Sequence, residues 1–265
     1  MTAPQAVSPS ATNLMLGRGQ VFMDRLKLVN GVMNRTGEFD LGNCTAFEIT
    51  PKATVKEKFE SMDNASMLYA RAAIQQTATI KITGDEYSLF NLATVLMGNQ
   101  GTVTATGASV TGETLTTAPL LGAWYPTSKR NISAVTVKGG ATGTTTLTLG
   151  TDYAIDATSG RIHILPGGTV NPATDTIKCD YTYATYTINL VQGGTSPQVN
   201  CFIRYKGNPV QGPTYEGEFW NVMFTPNGTL GFIQDDYGNW TLEGMCIADM
   251  TNHPTEPLYH LLQLA

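Results

Sequence analysis

Residues 72–83, AIQQTATIKITG, alternate in polarity over a full strand length. Ala72, Ile74, Ala78, Ile80 and Ile82 fall on one side of an extended chain, interrupted only by Gln76. Arg71, Ala73, Gln75, Thr77, Thr79 and Lys81 fall on the other. A period of two demands a strand with one face on a core and one nearly uncharged polar face. The flanks tighten the constraint. Residues 43–59 read as a second strand through Phe47, Ile49, Val55 and Phe59, and Glu57, Lys58, Glu60, Asp63 and Asn64 then break the pattern as a loop tip within 57–71. After the strand 72–83, Asp85 is the expected N-cap of an amphipathic helix with an apolar stripe of Leu89, Leu92, Ala93 and Leu96, closed by Gly98. This combination points to an all-β fold with one flanking α-helix.

The remaining chain divides by composition. Residues 1–15 are rich in Ser, Pro and Ala and read as a flexible arm. A strand is expected over 19–28. From 101 to 185 the chain turns Thr- and Gly-rich, with short strands expected at 132–138, 144–149, 161–165 and 176–187, as in a small immunoglobulin-like or meander module. Stronger strands follow at 186–206, 214–225, 229–234 and 239–248, the last three joined by turns at Pro226-Asn227-Gly228 and Tyr237-Gly238-Asn239. The organisation expected is a discontinuous core, 16–100 plus 186–265, with 101–185 inserted. The apolar tail residues Leu258, Tyr259, Leu261 and Leu262 either dock on a neighbouring subunit or pack on their own core.

Few chemistries fit the residues. Charged residues are 14% of the chain, against about a quarter in an ordinary soluble domain. The formal charge of −5 argues against holding nucleic acid by phosphate neutralisation. Cys44, Cys179, Cys201 and Cys246 form no C-x-x-C pair, and His163, His253 and His260 fall in separate segments, so no metal or cofactor is expected. The N-terminus has neither a basic nor an apolar signal region, no run of apolar residues is long enough to span a bilayer, and the sequons at Asn43, Asn64, Asn131, Asn227 and Asn239 read as chance products of composition. Asp235-Asp236 with Glu216, Glu218 and Glu243 is the one carboxylate cluster, and Trp220 and Trp240 could flank a sugar there. Asp before Tyr237-Gly238 is also an ordinary turn residue. Nucleophile-elbow, phosphate-loop and zinc-protease motifs are absent from the sequence. The expectation is a protein that is not an enzyme.

LGRGQVFMDRL, DLGNCTAFEIT, the loop KEKFESMDNAS, the strand–helix ATIKITGDEYSLFNLATVLMG and the closing FWNVMFTPNGTLGFIQDDYGNWTLEGMCIAD together resemble the major tail tube proteins of long-tailed bacteriophages. The resemblance covers about 16–100 and 187–250. It implies a tail-tube-type β-sandwich or partial barrel, hexameric rings stacked into a DNA conduit, and assembly in the host cytoplasm with tape measure, terminator and tip or baseplate proteins. It makes Glu57, Lys58, Glu60, Asp63 and Asn64 an inter-ring loop, turns Gln75, Thr77 and Thr79 toward the lumen, gives the terminal arms inter-ring contacts, and leaves the insertion on the outer wall. No membrane insertion is expected. The alternatives are a glycan- or receptor-binding virion protein using Trp124, Trp220 and Trp240, a single-ring tail-completion or baseplate hub protein, and the tube of a bacterial injection machine.

Overall fold

The computed structural model describes residues 13–62, 64, 66–233 and 235–264. The fold is all-β with one helix. In chain order the first strands are β1 (Gly19–Arg25), β2 (Lys27–Val29), β3 (Val32–Asn34), β4 (Phe39–Asp40), β5 (Cys44–Phe59) and β6 (Leu68–Gly84), followed by helix α1 (Leu89–Val95) and β7 (Asn99–Ala105). Next come β8 (Ala108–Thr116), β9 (Trp124–Pro126), β10 (Ile132–Gly139), β11 (Thr145–Thr146), β12 (Tyr153–Asp156), β13 (Arg161–Ile164) and β14 (Ile177–Tyr183). The chain closes with β15 (Tyr186–Gln192), β16 (Val199–Gly207), β17 (Thr214–Phe224), β18 (Trp240–Cys246) and β19 (Tyr259–Leu264).

These elements form two compact units, one running to Gln100 and resuming at Val191, the other comprising Gly101–Leu190. In the first, the strand order is β4-β1-β16-β17-β18-β6-β5, with β19 also on β17. β17 gives residues 214–219 to β19 and 222–224 to β18, so one strand edge serves two partners in succession. Phe47 on β5 stacks on Tyr205 of β16 at 5.2 Å and meets the edge of Phe219 on β17 at 5.6 Å. Rings from strands far apart in sheet order can meet only if the sheet curls, and it does so without closing into a barrel. The curl encloses Val21, Met23, Ile80, Ile82, Val222 and Trp240, all essentially inaccessible to water. Burying them supplies the dominant stabilising term of the unit.

The second unit has its own core around Val137, Ile162, Ile164, Ile177, Cys179 and Tyr181. It consists of a four-stranded sheet, β11-β10-β14-β8, and a three-stranded sheet, β12-β13-β9. The Thr/Gly-rich residues 108–116, not expected as a strand, are β8 paired to β14. There Thr supplies β propensity, and half-buried Val110 and Leu115 supply the anchors. Strands β7 and β15 pair with each other where the chain leaves and re-enters the first unit. Adjacent entry and exit, with a separate core, is the geometry that tolerates excision. Replacing residues 101–190 by a short Gly/Ser linker should therefore leave a soluble β protein that unfolds in one cooperative transition, measured by circular dichroism in urea. Insoluble or non-cooperative material would refute the independence of the two cores.

Several local expectations are corrected. The helix is capped by Ser88, not Asp85: its hydroxyl accepts the Asn91 N–H at 3.1 Å. Asp85 instead accepts from the Asn43 side chain at 2.6 Å. The buried positions of α1 are Asn91, Ala93, Thr94 and Val95, while Leu89 and Leu96 are exposed. Asn91 goes inward because its amide donates to the carbonyls of Leu41 and Glu86, each at 2.9 Å, which hydrophobic periodicity cannot register. Among the described residues of the expected strand 229–234 none belongs to a strand, and only Leu230 forms a bridge, to Trp240. The expected strand 186–206 is broken between β15 and β16, where Gly194 takes a positive φ of 69° and its N–H donates to the Leu96 carbonyl.

Candidate assembly surface

The element that sets this chain apart is the β5–β6 hairpin. Its ladder runs from Cys44↔Gly84 to Phe59↔Leu68, and only the half nearest Gly84 is walled by other strands. Residues 79–84 of β6 pair with β18 as well as with β5, and Ala78, Ile80 and Ile82 are buried in alternation. Beyond Pro51 and Ala78 the two strands continue with each other alone, and nearly every described residue from 50 to 76 is exposed. At roughly 3.3 Å per residue the arm reaches some 30 Å from its root.

The sequence alternation is misleading past this root. A register shift between Thr54 and Val55 sets Val55 opposite Ala73. Facing residues share a side of an antiparallel pair, so the bulge reverses the phase of β6. Ala72 therefore lies on the face opposite Ala78 and Ile80, and Ile74 stands at the bulge, 52% exposed. The break at 57–71 is narrower than expected: Glu57 and Lys58 belong to β5, and the turn occupies only 60–67. Glu57 pairs with Arg71 at 3.4 Å across the ladder, and Glu60 donates its N–H to the Met67 carbonyl at 2.9 Å. Asn64 is exposed in the turn, and Asp63 lies outside the described residues. The tip is not chiefly charged. Phe59, Met62, Met67, Leu68 and Tyr69 are all about half exposed or more, Met62 at 90%. The FESM and SMLY segments flanking the turn carried that signal, which a reading based on charge passed over.

Gln75, Thr77 and Thr79 share one face of the hairpin with Thr54, Lys52 and Thr50, their partners in register. Gln75 is exposed, and Thr77 and Thr79 are half-buried. On the same face Lys81 sits in register between Glu48 and Glu243, so its charge is flanked by carboxylates on both sides. β5 is the last strand of its sheet, leaving its outer edge without a strand partner among the described residues.

The C-terminal residues are a strand of their own sheet. β19 pairs with β17 from Phe219↔Tyr259 to Thr214↔Leu264, and Leu258 and Tyr259 pack against the core. Leu261 and Leu262 are about half exposed, so they remain available to a neighbour while the backbone is committed. The N-terminal arm lies outside the described residues up to residue 12; Leu16 bridges to Gln211.

The carboxylates of the acidic cluster have separate duties. Glu216 pairs with Arg204 at 3.4 Å, Glu218 contacts His260 at 3.4 Å, and Asp236 accepts the N–H of Tyr237 at 2.7 Å within the turn. Among the described residues no three His, Cys, Asp or Glu side chains are placed to hold a metal ion. Burial pushes all four thiols up to about 12, which removes thiolate character near neutrality. Trp240 is wholly buried and is no platform. Trp220 is stacked by His253 at 3.5 Å, edged by His260 at 4.8 Å and tied through its N–H to the Glu256 carbonyl, a grouping of distant histidines invisible in the sequence. Trp124, stacked on His163, keeps 47% of its surface open.

A family model described as "Protein of unknown function UCP028589" matches residues 14–258, spanning both units and the whole hairpin. The chain belongs to this family. No curated protein matches it. None of the described helices is long and apolar enough to cross a membrane.

Proposed function

We propose that this chain is a structural subunit that assembles with its own copies into stacked hexameric rings, forming the tail tube of a long-tailed bacteriophage. One observation carries the reading: a two-stranded arm with an unpaired edge and an apolar tip projects from a well-packed body. An isolated two-stranded ribbon is marginal in water, and a long free edge invites pairing. Covering both with other copies resolves the exposure, and six-fold closure leaves no edge open. The apolar tip suits insertion into an adjacent ring, with Glu57, Lys58 and Glu60 at its neck. Gln75, Thr77 and Thr79 would face the lumen as a hydrated surface of low charge, with Lys81 neutralised by its glutamate neighbours. Such a wall releases DNA, whereas a basic one would hold phosphates. The second unit would decorate the outer wall, and tape measure, terminator and tip proteins would set tube length in the virion.

Deleting residues 58–66 tests this reading directly. The variant should remain folded, since none of the described residues among them belongs to either core, but should give only monomers or single rings in negative-stain micrographs, whereas the intact chain should give long channelled tubes. Tubes of normal length from the deletion variant would remove the arm from the assembly mechanism. A discrete trimer from the intact chain would favour the receptor-binding alternative.

A further inference from the structure

The C-terminal strand is held on β17 by a contact short of permanent cations. Residues 247–264, β19 and the segment before it, contain no Lys or Arg; besides Tyr259, their ionisable side chains are Asp249, His253, Glu256 and His260. β17 has no Lys or Arg either, and it turns Glu216 and Glu218 to the face that carries His260, with Glu218 directly opposite in register. An acidic segment thus docks on an acidic strand. The arginines nearby are engaged elsewhere: Arg204, in register with Glu218, binds Glu38 and Glu216, and Arg35 binds Asp24 and Glu38. Exposed Lys206 lies opposite Glu216, one row away from His260. The cations left to the contact are its two histidines.

Both histidines are placed to use a charge. His260 Nε2 lies 3.4 Å from a carboxylate oxygen of Glu218, and its Nδ1 lies 3.5 Å from one of Glu256. A neutral imidazole has one N–H and one lone pair, so it offers a proton to only one of the two carboxylates; an imidazolium offers one to each. Nε2 is buried without a hydrogen-bond partner among the described residues, and the side chain is only 21% exposed, so salt and water screen these charges weakly. His253 stacks on the Trp220 ring at 3.5 Å and 5°, a contact that a positive charge on the imidazole strengthens. The Asp249 carboxyl beside it is held low by hydrogen bonds from Asn252 and Thr251 and, beyond those, by the charge of His253. We propose that β19 and the segment before it form a proton-dependent clasp, drawn onto β17 when His253 and His260 are charged and loosened when they are neutral. Histidine side chains change charge between about pH 5 and pH 8, so the clasp works across that interval. Loosening it uncovers the 214–219 edge of β17 and lifts Leu258 and Tyr259 from the core. Every group in the clasp belongs to one copy of the chain, so it does not depend on the assembly reading.

Hydrogen exchange of the full chain reads the clasp, followed by mass spectrometry at about pH 5.5 and about pH 8.5 and corrected for the intrinsic pH dependence of amide exchange. The amides of residues 259–264 should open about tenfold more often at the higher pH. His260→Lys, which keeps a cation between the two glutamates, should hold them closed at both. The double variant His253→Gln, His260→Gln should lose the pH response and open at both. Glu218→Gln removes one carboxylate that makes no bond to the core; it should cut the response to about threefold and decides the matter where the double variant does not fold. Equal opening of β19 at the two pH values in the native chain would overturn the clasp. So would a full tenfold response surviving in the double variant or in Glu218→Gln, since the proton would then act elsewhere.

Discussion

Trp240→Ala should lower the unfolding free energy by about 3–5 kcal/mol, the range for truncating a fully buried aromatic. The side chain has no accessible surface and fills the core where β18 meets the end of β6. Its indole N–H donates to the Glu86 carbonyl at 2.9 Å, so truncation opens a cavity and removes one of that carbonyl's two donors, leaving the Asn91 amide. The ring lies directly over Gly84, where a Cβ would come within 2.5 Å of Cζ2. Gly84→Ala should accordingly cost about 1–3 kcal/mol through overpacking alone, and Trp240→Phe should fall between the native chain and Trp240→Ala. Urea midpoints at constant slope would measure the series. A Trp240→Ala midpoint within 1 kcal/mol of native, on the order of a surface substitution, would show that the core rests elsewhere.

Asp24→Ala is expected to cost about 3 kcal/mol. The carboxylate is completely buried on β1, accepting from the Thr36 N–H at 2.9 Å, from the Thr36 hydroxyl at 2.9 Å and from the Arg35 guanidinium at 3.1 Å. Arg35 bridges onward to Glu38, which also binds Arg204 at 2.5 Å, so the loop from 35 to 38 is tied to β1 and β16 by one chain of charges. Arg35 is half exposed and can rehydrate, which keeps the cost below that of stranding a buried cation. Burial alone would raise the Asp24 carboxyl; the bonds from Thr36, Gly37 and Arg35 outweigh it and hold it below its ordinary 3.8. Glu38 is likewise raised by burial but drawn below 4.5 by Arg204 and Arg35. A carboxylate lowered in the folded state contributes stability that is full above its unfolded value and is lost as pH falls through the folded one. Unfolding titrations should thus show stability falling below about pH 4, with a shallower acid limb in Asp24→Asn. An unchanged limb in that variant would show that Asp24 is not linked to the acid transition.

The parts legible in the sequence share one property. The alternation over 78–83 and the strands expected at 214–225 and 239–248, observed at 214–224 and 240–246, are fixed by residues adjacent in the chain, so the local pattern carries the information. Elsewhere the deciding partner is remote. Asn91 is buried because Leu41 offers a carbonyl, and Ser88 caps the helix where Asp85 is held by Asn43. Most of the arm was visible as two strands, yet its projection was not: exposure beyond Ala78 follows from where β18 stops pairing, and the bulge at Thr54 reverses a face that looked continuous.

By itself the sequence determined an all-β chain with one short helix, two stretches of different composition, and two strands meeting at a turn near residue 63. Tertiary structure alone decided that those strands outrun their sheet, that the tail is a strand of its own core, and that apolar side chains crown the arm. The physical reason is that strand propensity and alternation are local, whereas burial is a sum over neighbours supplied by the whole fold.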